Sequence, residues 1–105
     1  MWDLVATREV TVLNPQGLHA RPADAFARLA NKFTSTIDVI KEGQHANGKS
    51  ILDLLMLAAE GGTALTIVAR GEDADKAVEA LGHLMDHVIA FEESVKGSGN
   101  EQNTA

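Results

Sequence analysis

The 105-residue chain contains no cysteine, which excludes a disulfide framework, a thiolate metal site and a cysteine nucleophile. No apolar run approaches the roughly 20 residues needed to span a bilayer. The start, Met1-Trp2-Asp3-Leu4-Val5, has no basic segment leading into an apolar stretch. A signal peptide is therefore not expected, and the chain reads as cytoplasmic. Positive charge is scarce: nine Lys and Arg against fifteen Asp and Glu give a formal net charge of −6. That balance disfavours nucleic-acid binding, which depends on clustered cations neutralising phosphates. What remains is 45% hydrophobic and 23% charged, the proportions of an ordinary soluble domain with one small core.

Periodicity orders the chain. Leu4 to Leu13 reads as a strand, with Val10 and Val12 on one face and Glu9 and Thr11 on the other. Asn14-Pro15-Gln16-Gly17 is a turn by composition. From Ala20 to Lys32, Ala23, Phe26, Ala27 and Ala30 recur at helical spacing. Ile37 and Val39 alternate with Thr36 and Asp38 in a second strand, and Glu42-Gly43-Gln44 turns into a short third. Ser50 to Ala59 reads as a short apolar helix ended by Gly61-Gly62. Ala64 to Ala69 forms a fourth strand closed by Gly71. A last helix opens on Glu72, Asp73 and Asp75, with Ala77, Leu81, Leu84 and Val88 as its core stripe and Val78 and Met85 alongside. The order β-α-β-β-α-β-α predicts an α+β fold, one antiparallel sheet with helices on a single face. Residues 97–105 have nothing to bury and read as a disordered tail.

The densest chemistry lies in Gly17-Leu18-His19-Ala20-Arg21-Pro22-Ala23. A histidine stands at the mouth of a helix, where orphan amides and the positive end of the dipole favour an anion. A histidine ring offers a nucleophilic nitrogen. Arginine adds a permanent charge in a fork that matches phosphate oxygens. Gly17 permits the tight turn, and Pro22 tolerates the first helical turn because no intrahelical donor is lost there. With Ala20 as the first helical residue, His19 is the N-cap and the Ala20, Arg21 and Ala23 amides can face its ring. The residue before a proline avoids the α region, however, so a start at Pro22 with Arg21 as cap is the competing register. Asp24, about one turn into the helix, would compete with a phosphoryl group for the dipole.

This string resembles the active-site signature of the HPr family, the histidine-containing phosphocarriers of the bacterial phosphoenolpyruvate-dependent sugar phosphotransferase system. The resemblance runs from Gly17 to about Val88 without an obvious gap. It implies an open-faced β-sandwich over residues 1–96, a four-stranded antiparallel sheet with three helices on one face. It also implies that enzyme I phosphorylates the ring of His19 at the expense of phosphoenolpyruvate. His19 would then pass the group to an EIIA-type acceptor, with Arg21 balancing charge and Gly17, Ala20, Pro22 and Ala23 supporting the phosphate. Such a protein is a covalent carrier within a transferase system rather than a stand-alone enzyme. It is expected to be a monomer that needs no cofactor and does not insert into membranes.

Lys49-Ser50-Ile51 is similar to the site at which many HPr proteins are phosphorylated by a dedicated serine kinase/phosphorylase, making Ser50 a candidate regulatory site. On local chemistry alone, Ser50 followed by Asp53 is a capping-box variant, satisfying end amides of the helix. Family members usually carry glycine where Asp53 stands, and its carboxylate would repel a phosphate on Ser50. Ile51, Leu52, Leu54, Leu55 and Leu57 are too many apolar residues for one buried stripe. Leu18, Ile51, Leu52 and Leu55 are therefore expected as an exposed docking patch beside His19. Arg21, Arg28, Lys32 and Lys49 could add a local basic region suited to protein partners.

His83 and His87 have the i, i+4 spacing of a zinc pair but no evident third ligand, so no metal is expected. His45 stands without chemical company, and Trp2 is a lone aromatic at a frayed end. Alternative functions are a regulatory protein of the same fold acting through Ser50, or a carrier in a nitrogen-related phosphorelay. An acyl carrier protein would require an all-helical chain and an Asp-Ser-Leu attachment site. A β-α-β-β-α-β ligand sensor would leave the histidine signature unexplained.

Overall fold

Period-two burial runs through β1 (Val5–Thr11), where Ala6 and Val10 face inward and Thr7, Glu9 and Thr11 face solvent. The same alternation marks β2 (Thr36–Lys41) and β4 (Ala64–Arg70), the latter burying Leu65, Ile67 and Ala69. β3 (Gln44–Asn47) is short and follows β2 through a two-residue turn. Glu42 and Gly43 both have positive φ, 49° and 82°, the pair of left-handed residues that a twisted hairpin requires. A computed structural model describes residues 4–89 of the chain. Trp2, the expected tail over 97–105 and the side chain of Val88 lie outside the described residues.

The four strands form one antiparallel sheet in the order β1-β4-β2-β3. β4 is thus central, with Val10 opposite Leu65 on one side and Val39 opposite Ile67 on the other. α1 (Ala20–Ala30), α2 (Ile51–Met56) and α3 (Ala74–His83) cover one face, and α3 continues as a π-helical stretch over Leu84–Ile89. The predicted element order and single-faced layering are observed. α1 buries Pro22, Ala23, Phe26, Ala27 and Ala30, and α3 buries Ala74, Ala77, Val78 and Leu81. The alanines among them bring the helices close to the sheet, leaving Phe26, Leu54, Leu57, Ile67, Leu81 and Met85 to fill the space.

The end of α2 and the buried stripe after α3 depart from expectation. α2 ends at Met56, not at Gly61-Gly62, because Ala58 takes φ 52° and the Lys41 ammonium donates to the Leu57 carbonyl at 2.8 Å. A cation there satisfies an orphan end carbonyl and complements the dipole. Gly61 and Gly62 instead turn the chain into β4, where the Gly62 amide donates to the Val12 carbonyl at 2.7 Å. In α3, Leu84 is only half-buried while Met85 is 1% exposed. The i→i+5 turns rotate the chain less per residue, so Met85 continues the stripe from Leu81.

Asp73 opens α3 but does not serve it as a side-chain cap. Its carboxylate accepts from the Ser35 hydroxyl at 2.5 Å, the Thr34 amide at 2.9 Å and the Ser35 amide at 3.0 Å. The Ser35 hydroxyl and then the Thr34 amide hold its pKa down to about 2, against an ordinary 3.8. This clasp joins the α1–β2 loop to the start of α3.

Candidate functional site

The loop before α1 is fixed from both sides. The Gly17 amide donates to the Asn14 carbonyl at 3.0 Å, and the Asn14 side-chain amide returns to the Gly17 carbonyl. Gly17 has φ 78°, where L side chains are strained. A methyl on it would overlap the Ala59 carbonyl oxygen and lie 3.0 Å from the Glu60 Cα. The Leu18 amide then donates to that same carbonyl at 2.8 Å. The start of α1 is thereby tied to the α2–β4 connection.

His19 is the N-cap of α1, extended at φ −89° and ψ −168°, and Ala20 is the first helical residue. The register with Arg21 as cap does not form. Pro22 is the third helical residue, whose amide would have had no carbonyl to bind, so the helix tolerates it and buries its ring. The Ala23 amide, expected to face the His19 ring, instead donates to the His19 carbonyl at 3.0 Å and closes the first helical turn. Among the first-turn amides, those of Ala20 and Arg21 have no carbonyl one turn back to bind.

The His19 ring is half-buried with its Nε2 shielded from solvent. It borders an open hollow of about 500 Å³ walled by Pro15, Gln16, Leu18, Ala58, Ala59, Glu60 and Gly61. Arg21 lies exposed on the same helical turn, and no ion pair among the described residues engages it. Asp24 is held along α1 by Arg28, with Nε and Oδ2 2.9 Å apart. Glu60, which no local sequence pattern singled out, reaches the hollow through contacts between distant segments.

Ser50 caps α2: its hydroxyl accepts from the Asp53 amide at 3.1 Å. The Asp53 carboxylate does not return to the Ser50 amide but accepts from the Asn47 amide at 3.2 Å, so one half of the capping box forms and the other is displaced. The expected apolar patch is only partly present. Leu18 is buried, 5% exposed, because its pinned backbone turns the side chain into the core. Leu55 is half-buried, whereas Ile51 and Leu52 are exposed and are joined by Met56, which the sequence reading omitted. Leu54 and Leu57 take the inward face of α2. Beside Ile51, a second hollow is walled by Asp24, Arg28, Asn31, Lys32 and Lys49. The Lys49 ammonium donates to the Phe33 carbonyl at 2.8 Å.

His45 has a partner after all: its Nδ1 lies 2.6 Å from Asp38 Oδ2 across the β2–β3 pair. The diagonal cross-strand spacing supplies this contact. His83 and His87 pack with ring centroids 4.7 Å apart. Among the described residues no group of three metal-ligating side chains gathers, and no helix is long and apolar enough to cross a membrane.

Comparisons with known proteins agree on one family and one fold. Residues 6–87 match the family of the PTS HPr component phosphorylation site. The phosphocarrier protein HPr of Lysinibacillus sphaericus is 44% identical over 79 residues, covering 75% of this chain and 90% of that protein. The HPr-like protein Crh of Bacillus subtilis is 45% identical over 74 residues, covering 70% and 87% respectively. The crystal structure of HPr from Bacillus anthracis superposes with a TM-score of 0.73 at 38% identity, covering 77% of this chain and 96% of that one.

Proposed function

The chain belongs to the HPr family, and from that premise we propose that it is a cytoplasmic phosphocarrier whose His19 accepts a phosphoryl group from enzyme I and yields it to an EIIA-type acceptor. The observation that carries this reading is the placement of His19 as N-cap of α1, with Arg21 on the same turn and an open hollow alongside. Because Nε2 is shielded, Nδ1 is the nitrogen assigned to the chemistry. Its lone pair attacks phosphorus, the N–P bond forms, and the donor's bond to phosphorus breaks with its electron pair leaving on the donor. Transfer onward is the reverse step, with the ring nitrogen as leaving group. The incoming oxygens meet the positive end of α1 and the Arg21 guanidinium, each favouring the dianion. The dipole contributes roughly 0.3–1 kcal/mol, or up to about 2 where partly buried.

Incubation with phosphoenolpyruvate, magnesium and enzyme I tests the proposal directly. An acid-labile phosphoryl adduct by mass, absent in His19→Ala and assigned to Nδ1 by phosphorus–nitrogen NMR couplings, is the expected result. An adduct that persists in His19→Ala overturns it.

A second reading is favoured by the similarity to Crh: a regulatory protein acting through Ser50 and the exposed face of α2. Its hydroxyl caps α2 beside the Asp53 amide, and the nearby carboxylate opposes a phosphate there. Incubation with ATP and an HPr serine kinase, comparing the native chain with Asp53→Gly, tests this role. No incorporation at Ser50 in either protein removes it. We also propose that the carrier is monomeric; a dimer mass in sedimentation equilibrium at micromolar concentration would contradict that.

A further inference from the structure

We propose that Glu60 weakens the hold of His19 on its phosphoryl group, so that the carrier gives the group up more readily. This inference rests on the phosphocarrier reading above.

Glu60 lies far from His19 in sequence, yet both border the same hollow. The root of its side chain is fixed rather than wandering. The Glu60 Cα lies against Gly17, two residues before His19, closely enough that a methyl on Gly17 would come within 3.0 Å of it. The preceding carbonyl, Ala59, accepts the Leu18 amide at 2.8 Å, and the Glu60 carbonyl accepts the Thr63 amide at 3.0 Å. Gly62 is anchored to the Val12 carbonyl at 2.7 Å. A carboxylate rooted at this point borders the same hollow as a ring that gains negative charge when it is phosphorylated.

The surrounding charges differ in how they are employed. Asp24 is paired with Arg28 at 2.9 Å, so its field is largely offset. Among the described residues no ion pair engages Glu60. Arg21 and the first turn of α1 attract the phosphoryl group from one side, while Glu60 repels it across the hollow. Repulsion between exposed charges at this range is modest and screened by salt. It acts on the phosphorylated state, because a ring without a phosphoryl group presents no negative charge for the carboxylate to oppose. Phosphohistidine is thereby raised in energy relative to free histidine plus phosphoryl acceptor. The same opposition is relieved as the N–P bond breaks, because the negative phosphoryl group moves to its acceptor while the bonding pair returns to the imidazole.

The experiment equilibrates carrier with phosphorylated enzyme I and measures the fraction of each that carries phosphoryl. Glu60→Gln, an isosteric change at an exposed side chain, is expected to shift the equilibrium toward phosphorylated carrier by about threefold at low salt. The shift should shrink toward none in about 0.5 M salt, and Glu60→Asp should retain most of the native behaviour. Glu79→Gln, an exposed acid on α3, should leave the equilibrium in place. An unchanged equilibrium in Glu60→Gln, or a shift insensitive to salt, overturns the role of Glu60 while leaving the carrier reading intact. Failure of the native chain to take up phosphoryl on His19 overturns both.

Discussion

The Leu18 amide donates to the Ala59 carbonyl at 2.8 Å, binding the loop before α1 to the connection after α2. That single bond explains why the hollow beside His19 has two walls from distant parts of the chain. It also makes the glycine before it sensitive.

Gly17→Ala should destabilise the protein by about 2 kcal/mol or more, because φ 78° is strained for alanine and the methyl meets the Ala59 carbonyl. Urea denaturation measures the loss. Phosphorylation of His19 should slow as well, since the loop must move to admit the methyl. Native stability in this variant would show that the loop yields without cost.

Asp24→Ala should speed phosphorylation of His19 by about twofold, the scale of removing one offset carboxylate near a helix start. The gain is small because Arg28 already holds the carboxylate at 2.9 Å. Arg28→Gln should slow the reaction by a similar factor, by releasing Asp24. Initial rates at limiting enzyme I report both; a slower Asp24→Ala reverses the assigned direction.

Leu52→Glu should raise the apparent KM for enzyme I about tenfold with little change in kcat, since Leu52 is 68% exposed and carries no core packing. Leu54→Ala, on the buried face of the same helix, should instead cost about 2–5 kcal/mol of stability. Equal KM values for native and Leu52→Glu proteins would remove α2 from the docking surface.

Asp73 gives a pH signature. Its folded pKa, about 2, lies below the ordinary 3.8. The clasp therefore contributes stability that is fully present above pH about 4 and is lost as pH falls toward 2. Asp73→Asn should lower Tm at neutral pH and flatten its decline between pH 4 and 2. Parallel Tm curves for the two proteins over that window would show that the clasp carries no linkage.

Strand alternation, the hairpin turn and the helical spacing of Ala23, Phe26, Ala27 and Ala30 were legible because each is a local repeat whose period the backbone imposes. The place of His19 and Arg21 at the start of α1 was legible because a helix cap and its first turn depend on neighbouring residues alone. The outward set on α2 was harder. Apolar residues surround that helix, and only the packing of Leu54 and Leu57 onto the core leaves Ile51, Leu52 and Met56 outside. Leu18 was misplaced for the same reason, since its direction follows from a bond to Ala59 rather than from its neighbours. His45 gained Asp38 through strand pairing that no run of residues announces.

By itself the sequence determined the elements, their order and the histidine-arginine pair at the mouth of α1. These depend on contacts within a few residues, where covalent geometry limits the choices. Only the tertiary structure decided that β4 lies between β1 and β2, that α2 stops at Met56 on the Lys41 ammonium, and that Glu60 faces the hollow of His19. Each of these joins segments far apart in the chain, and the burial of the whole core, not local propensity, selects which of them meet.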